Sequence, residues 1–306
     1  SKRPLPSDPL FDTPCFVRRP LAPSWLPSFS LYYYILLPLR MIWDGLSSMY
    51  LPNYMLPWPS TVPTLVMLTD DIWYESRNPK LPLRYRLAYR FFAVTLASRF
   101  ATRIMAISEA SKRELVRLLS IPADRIDTNH LGVLVPAHTS APPSTPTSRY
   151  VLSVGQAFER RNTRETILAF AEVATHDPSL SFMLVGPDRY HPPCVQSTID
   201  QVESQIGMGR ISWSQHVGQA TLSALMAHAQ CIVYVSDREA FGLPPLEGLA
   251  HGTVPVVADA PVSHETLGDF AVMVRPTHDV GALAKAIARA CSDTALRTHI
   301  TRDKTP

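Results

Sequence analysis

From residue 149 onward the chain alternates short apolar runs with stretches whose apolar positions recur every three or four residues. "YVLSVG", "SFMLVG", "RISW", "CIVYVS", "VPVVAD" and "AVMVRP" read as strands. Between them, "NTRETILAFAEVA", residues Pro193 to Ile206, "ATLSALMAHA", "PPLEGLAHG", "SHETLG" and "DVGALAKAIARAC" read as helices. Continuously apolar strands alternating with helices predict a parallel sheet covered on both faces. Ligands of such sheets bind beyond the carboxyl ends of the strands. Asn162 and Glu165 have the spacing of a capping box, and Gly252 falls just past a helix that opens on proline.

The front half is less regular. Twelve of the 29 prolines precede residue 64, so extended segments joined by turns are expected there. "LYYYILLPLRMIW" (Leu31 to Trp43) is interrupted by Pro38 and Arg40, is too short to span a bilayer, and is expected to be a buried helix. "TVPTLVMLTDD" gives a strand ending in two aspartates. A long helical pattern follows at "LPLRYRLAYRFFAVTLASRFATR", then a strand at "IMAIS". "SEASKRELVRLLS" is a helix that Ser108 or Ser111 would cap. "VPAHTSAPPSTPTS" has no periodicity and reads as a linker. The expected organisation is a domain over residues 1–134, a linker over 135–148 and a second domain over 149–306.

The 306 residues suffice for two cores, and 46% hydrophobic with 18% charged residues indicates a globular chain, not a disordered or fibrous one. Charge is uneven: residues 1–148 carry 16 Lys+Arg against 10 Asp+Glu, and residues 149–306 carry 13 against 16. An anionic or membrane-associated ligand therefore suits the front half. Residues 80–125 hold ten Lys+Arg and three acids among several aromatics, a pattern for peripheral membrane contact. No recognition motif accompanies that charge, so nucleic acid is not an expected partner. The four cysteines lack metal-ligand spacing, which favours a reducing, cytoplasmic setting.

The chemistry concentrates in "SDREAFGLPPLEGLAHG" (Ser236 to Gly252). Glu239 lies in the loop after a buried strand; Phe241, Gly242 and Leu243 lead into the next helix; Glu247 sits one turn inside it. Helix-start amides beside a glycine suit a diphosphate, and ionised carboxylates suit sugar hydroxyls. A ligand both phosphorylated and hydroxyl-rich is a nucleotide sugar. A dinucleotide-dependent dehydrogenase is disfavoured, since no G-x-G-x-x-G follows a predicted strand.

"EAFGLPPLEGLAHGTVPVVA" resembles the Glu-x7-Glu signature of family 4 retaining glycosyltransferases, mannosyltransferase-like group 1 enzymes of GT-B fold; Ala240 and Gly248 depart mildly from its usual form. The resemblance extends to "YVLSVGQAFERRNTRETILAFAEV", "DTNHLGV", "IMAISEASKREL" and "SMYLPNYMLPWPSTVPTLVMLTDDIWYE". It implies two Rossmann-like α/β domains facing a cleft, the N-terminal one shortened and no closing helix evident at the back.

The resemblance also assigns roles. Arg160 and Arg161 would clamp the donor diphosphate together with Gly155, Phe241, Gly242 and Leu243. Glu247 would hold the ribose. Gly186, His216 and Val217 would lie near the nucleobase. Glu239 would meet the transferred sugar, and Asp70 stands where many relatives have a histidine that touches that sugar. The implied reaction is transfer of mannose or another hexose, with retention, from a nucleotide-diphosphate sugar, GDP-mannose being favoured, to a glycan or lipid-linked acceptor. No cofactor or metal is expected. The alternative is a catalytically impaired nucleotide-sugar-binding subunit, which the aspartate at position 70 favours.

Overall fold

The computed structural model describes residues 32–133 and 149–302. They form two compact units: one runs to Ala106 and adds Lys112–Thr128, and the other comprises Ile107–Ser111 and the chain from Asn129. The linker expected at 135–148 lies outside the described residues.

In the first unit, strands β1 (Met49–Leu51), β2 (Thr64–Met67), β3 (Arg103–Ala106) and β4 (Ile126–Thr128) pair in that order, all parallel. A π-helical turn, Tyr32–Leu36, continues into α1 (Leu37–Trp43). Helix α2 (Asp71–Glu75) follows β2. A long helical stretch runs from α3 (Leu83–Tyr89) through a π-helical segment, Arg90–Ala97, to α4 (Ser98–Phe100). Helix α5 (Glu109–Leu119) precedes β4. Leu51, Leu56, Val66, Leu68, Ala93, Ile104, Leu115 and Ile126 form the buried core.

The segment expected as a buried helix is helical but only half-covered. Tyr33 and Met41 face inward, whereas Ile35, Leu39, Ile42 and Trp43 are 52%, 56%, 62% and 87% exposed. A helix apolar on every side, lying against a small four-stranded sheet, can cover only one face.

The second unit is a six-stranded parallel sheet in the order β10–β9–β8–β5–β6–β7. Its strands are β5 (Tyr150–Val154), β6 (Ser181–Val185), β7 (Ile211–Ser214), β8 (Cys231–Tyr234), β9 (Val254–Ala258) and β10 (Val272–Val274). The helices are α6 (Thr163–His176), α7 (Val195–Ile206), α8 (Gln219–His228), α9 (Leu243–Ala250), α10 (Pro261–Leu267), α11 (Val280–Ser292) and α12 (Thr294–Arg302). Helix α12 was not evident from the sequence. Phe170, Phe182, Leu180, Val151 and Ile287 are among the buried residues of the core, and Phe170 and Phe182 pack ring to ring at 5.3 Å.

The order reverses at β5. The chain moves outward from β5 through β6 to β7, then returns to place β8 on the other flank of β5. The loops after β5 and β8 therefore start side by side at the carboxyl edge of this switch point, where the crevice of an open α/β sheet takes its ligand.

Candidate functional site

Gly155 ends β5 with φ +125°, and Gly186 ends β6 with φ +146°. A β-carbon at Gly186 would stand 1.9 Å from the Gly155 carbonyl oxygen, and one at Gly155 would stand 2.1 Å from Arg161 Nη1. Only glycine at both positions lets the two strand ends abut and a guanidinium lie directly over the backbone.

Arg161 closes a 3-10 turn, Glu159–Arg161, in the loop after β5. Its guanidinium carbon lies 4.5 Å from the Tyr234 ring centroid and 5.2 Å from that of Phe158. Nη2 is 3.9 Å from Glu239 Oε2, an ion pair too long for a hydrogen bond, and the buried Nε has no partner among the described residues. The cation is thus held by the two aromatic faces and the nearby Glu239 charge. Arg160 instead donates from Nη1 to the Arg238 carbonyl (2.7 Å) and accepts at its own carbonyl from the Asp237 amide (2.7 Å), which joins the β5 and β8 loops.

The expected capping box is absent. Asn162 takes a left-handed conformation, φ +47°, and makes no cap bond; its Nδ2 donates to Asp237 Oδ1 at 2.8 Å. Thr277 donates to the same oxygen at 2.7 Å. The asparagine side chain is turned to the β8 loop because its backbone cannot present it to the helix amides.

After β8, the Tyr234 hydroxyl donates to Glu239 Oε2 at 2.8 Å. Burial, and then the Glu239 charge, push the Tyr234 phenol well above its ordinary range, so it stays a proton donor. Phe241 is buried, and Gly242 turns the chain into α9 at φ +87°. The amides at that helix start belong to Gly242 and Leu243, since Pro244 and Pro245 have none. Glu247, the fifth residue of α9, is half-buried, and burial raises its carboxyl pKa. The structure thus gathers Gly155, Arg161, Glu239 and Gly242, with Gly186 abutting Gly155.

The remaining expected residues are placed as follows. His216 is exposed in the loop after β7, and Val217 packs on the cluster of Tyr150, Val185 and Leu225. Asp70 lies in the first unit, buried at the start of α2, where its side chain does not cap the helix and its carbonyl accepts from the Trp73 amide at 3.0 Å.

Several contacts were not foreseen from the sequence. Tyr234 stood inside an apolar strand with no polar signal. The Trp213 indole donates to the Gly186 carbonyl at 2.8 Å. Ser108, whose Oγ accepts from the Ser111 amide as the expected cap, also donates to the Ala240 carbonyl at 2.8 Å, two residues before Gly242. Glu265 accepts from the amides of Glu109 (2.6 Å) and Ala110 (2.8 Å) and lies 2.7 Å from His130 Nε2. Burial alone would raise the Glu265 carboxyl, but these bonds outweigh it and hold the group below the usual range. Among the described residues, no group of three or more His, Cys, Asp or Glu side chains converges on a metal position.

Two Rossmann-like parallel-sheet units, one with a glycine-bordered crevice at its switch point, constitute the fold of GT-B glycosyltransferases. The model of the family described as "Glycosyl transferases group 1" matches residues 137–304, and the chain belongs to that family. Among curated proteins it is 26% identical over 212 residues to O-antigen chain mannosyltransferase B of Escherichia coli, covering 64% of this chain and 53% of that protein. It is 22% identical over 188 residues to the O-antigen chain mannosyltransferase RfbU of Salmonella typhimurium, covering 61% and 51%. The chain thus spans about half the length of these relatives. Among solved structures it is similar in fold to WaaG, a glycosyltransferase involved in lipopolysaccharide biosynthesis (TM-score 0.68, 16% identity, covering 94% of this chain and 80% of that one). It is likewise similar to Anabaena Alr3699/HepE in complex with UDP and glucose (TM-score 0.61, 20% identity, covering 79% and 66%).

Proposed function

We propose that this chain carries out retaining transfer of a hexose, mannose being favoured, from a nucleotide-diphosphate sugar to a hydroxyl of a glycan or lipid-linked acceptor. The observation that carries the reading is the Arg161 guanidinium, held over Gly155 between aromatic rings and 3.9 Å from Glu239, with the Gly242 helix start on the same loop as that carboxylate. Family membership and the names of the mannosyltransferase relatives support the reaction class and tilt the donor toward GDP-mannose.

In this reading the donor diphosphate lies against Arg160, Arg161, Gly155 and the amides of Phe241, Gly242 and Leu243. Glu247 accepts from the ribose hydroxyls, and the base lies toward Gly186, His216 and Val217. Glu239 orients the transferred sugar. The departing nucleotide diphosphate gathers negative charge in the transition state, so a preorganised guanidinium beside helix-start amides is the main catalytic contribution. Attack then occurs on the face from which the diphosphate leaves, and the leaving phosphate takes the acceptor's proton. Two arginines neutralise the diphosphate, so no metal is required in this scheme. Asp70 would stabilise positive charge at the anomeric carbon. The setting would be the cytoplasm, at the inner membrane face.

The test is calorimetry of GDP, GDP-mannose, UDP and UDP-glucose against the wild type, Arg161→Ala and Glu247→Ala. The reading requires one nucleotide sugar to bind and each substitution to weaken it at least tenfold; unchanged affinity in both variants overturns it. A second reading, a nucleotide-sugar-binding subunit without turnover, is favoured by the aspartate at position 70. Donor binding with neither transfer nor slow donor hydrolysis would select it.

A further inference from the structure

The large apolar side chains left in solvent are not spread over the surface. Among the described residues, Ile35, Leu39, Ile42, Trp43, Leu46, Tyr50, Trp58, Leu83, Tyr85, Leu87, Phe91 and Phe100 are each at least 40% exposed and lie in the first unit, whereas Met208 alone represents the second. Scattered single exposures are ordinary, whereas a concentration of this size marks a surface that something covers.

The exposed positions follow helical spacing. Ile35, Leu39 and Ile42 recur at intervals of four and three, and Leu83, Leu87 and Phe91 recur every four. Each sequence therefore presents an apolar stripe outward, away from the buried side that carries Tyr33, Met41, Ala93 and Ala97. The two stretches are neighbours, since Tyr34 stacks on Phe92 with ring centroids 4.8 Å apart.

Cations border the second stripe. Arg84 and Arg90 are exposed beside Leu83, Leu87 and Phe91, and from Ser76 to Ser108 the chain has seven Lys+Arg and no acid. That charge argues against a second copy of the chain as the cover, because two such faces would repel. It equally disfavours residues 1–31, which carry four basic and two acidic residues. No helix among the described residues is long and apolar enough to cross a bilayer. Apolar stripes with exposed aromatics and arginine borders match the surface layer of an anionic membrane, where rings and aliphatic chains enter the headgroup boundary and guanidiniums meet phosphate.

We propose that the stripes Ile35–Leu39–Ile42–Trp43 and Leu83–Leu87–Phe91, bordered by Arg84 and Arg90, form a docking face for an anionic lipid surface. The face deepens the reading above and rests on it for its purpose, the delivery of the sugar to a lipid-linked acceptor. Its test needs no turnover.

The full chain is floated with vesicles of phosphatidylcholine alone and of phosphatidylcholine with phosphatidylglycerol, at low and high salt. Expected results are at least tenfold stronger binding to the anionic vesicles, most of it lost at high salt. Arg84→Gln/Arg90→Gln should weaken binding about tenfold, and Leu83→Ser/Leu87→Ser/Phe91→Ser should abolish it. Fluorescence of the wild type should shift to the blue on vesicles, and Trp43→Phe should reduce the shift. These side chains are exposed, so unchanged far-UV circular dichroism will certify folding of the variants. Equal binding to both vesicle types, no binding, or insensitivity to the substitutions overturns the proposal. A dimer that the triple serine variant dissociates, without vesicle binding, assigns the face to a second copy instead. Nucleotide-sugar affinity measured without vesicles should be the same in these variants, which separates failure of the docking face from failure of the donor site.

Discussion

A β-carbon on Gly155 would lie 2.1 Å from Arg161 Nη1, so the absence of a side chain at one residue fixes the position of a cation six residues later. Gly155→Ala should displace the guanidinium from the Tyr234 ring and weaken nucleotide-sugar binding by roughly ten- to a hundredfold, the range of about 1.4–2.7 kcal/mol. Calorimetry against the donor measures the loss. If Arg161→Ala and Gly155→Ala/Arg161→Ala bind alike, the glycine acts through the arginine and not through its own backbone.

Tyr234→Phe keeps the ring beneath Arg161 and removes only the hydroxyl that donates to Glu239. The expected loss is about 1 kcal/mol, or about fivefold in donor affinity, the usual contribution of one such hydrogen bond. Tyr234→Leu removes both interactions and should cost more. Equal effects of the two substitutions would show that the hydroxyl alone matters.

Glu247, the proposed ribose ligand, carries a local cost. Burial raises its folded pKa, so the ionised carboxylate destabilises the unliganded protein above that value. Glu247→Gln should therefore raise the melting temperature at pH 7–8, and the gain should vanish as pH falls to where the carboxyl is protonated in both folded and unfolded chains. The same variant should bind the donor more weakly. Melting curves across pH, with and without nucleotide sugar, read both effects.

Glu265 runs the other way. Its folded pKa is depressed, so its stabilisation is present above the ordinary carboxyl pKa and is lost as pH falls through the lower folded value. Glu265→Gln should lower stability by about 1.5–3 kcal/mol near pH 7, the size of hydrogen bonds to a charged group. Wild type and variant should converge in acid. A constant difference at every pH would mean that shape rather than charge holds this contact.

Gly248 stands where relatives of the resembled family usually have alanine, and its packing gives the reason. An added β-carbon would meet Ile232 Cγ2 at 2.7 Å. Alanine ordinarily improves a helix interior by roughly 0.5–1 kcal/mol, but overpacking costs about 1–3 kcal/mol. Gly248→Ala should be net destabilising by about 1 kcal/mol in chemical denaturation, and Ile232→Ala should remove most of that penalty in the double variant.

The second unit was legible because its central strands are buried on both faces. "CIVYVS" and "VPVVAD" are apolar throughout, and apolar runs separated by 3.6-period stretches have few other interpretations. Strands β1 and β4 escaped because three residues carry no period and because edge strands tolerate polar residues such as the exposed Asp127. Asn162 was misassigned for a different reason. Its spacing to Glu165 fits a cap, but the left-handed backbone and the partner Asp237, distant in sequence, leave no trace in a local pattern. Likewise, periodicity located the stripe from Ile35 to Trp43 without indicating which side would meet the protein. Glycines 155 and 186 were named as candidates through the family resemblance and Gly242 through its place before a helix start, yet only the folded structure reveals what a β-carbon would strike.

The short segment Ile107–Ser111 precedes the rest of the second unit by 17 residues and still packs as part of it. Ser108 bonds the Ala240 carbonyl, and the amides of Glu109 and Ala110 meet Glu265. No single cut can therefore release the second unit intact. A polypeptide begun at Asn129 would leave one carboxylate and one carbonyl stripped of their donors, and it would loosen the very loop that leads into Gly242.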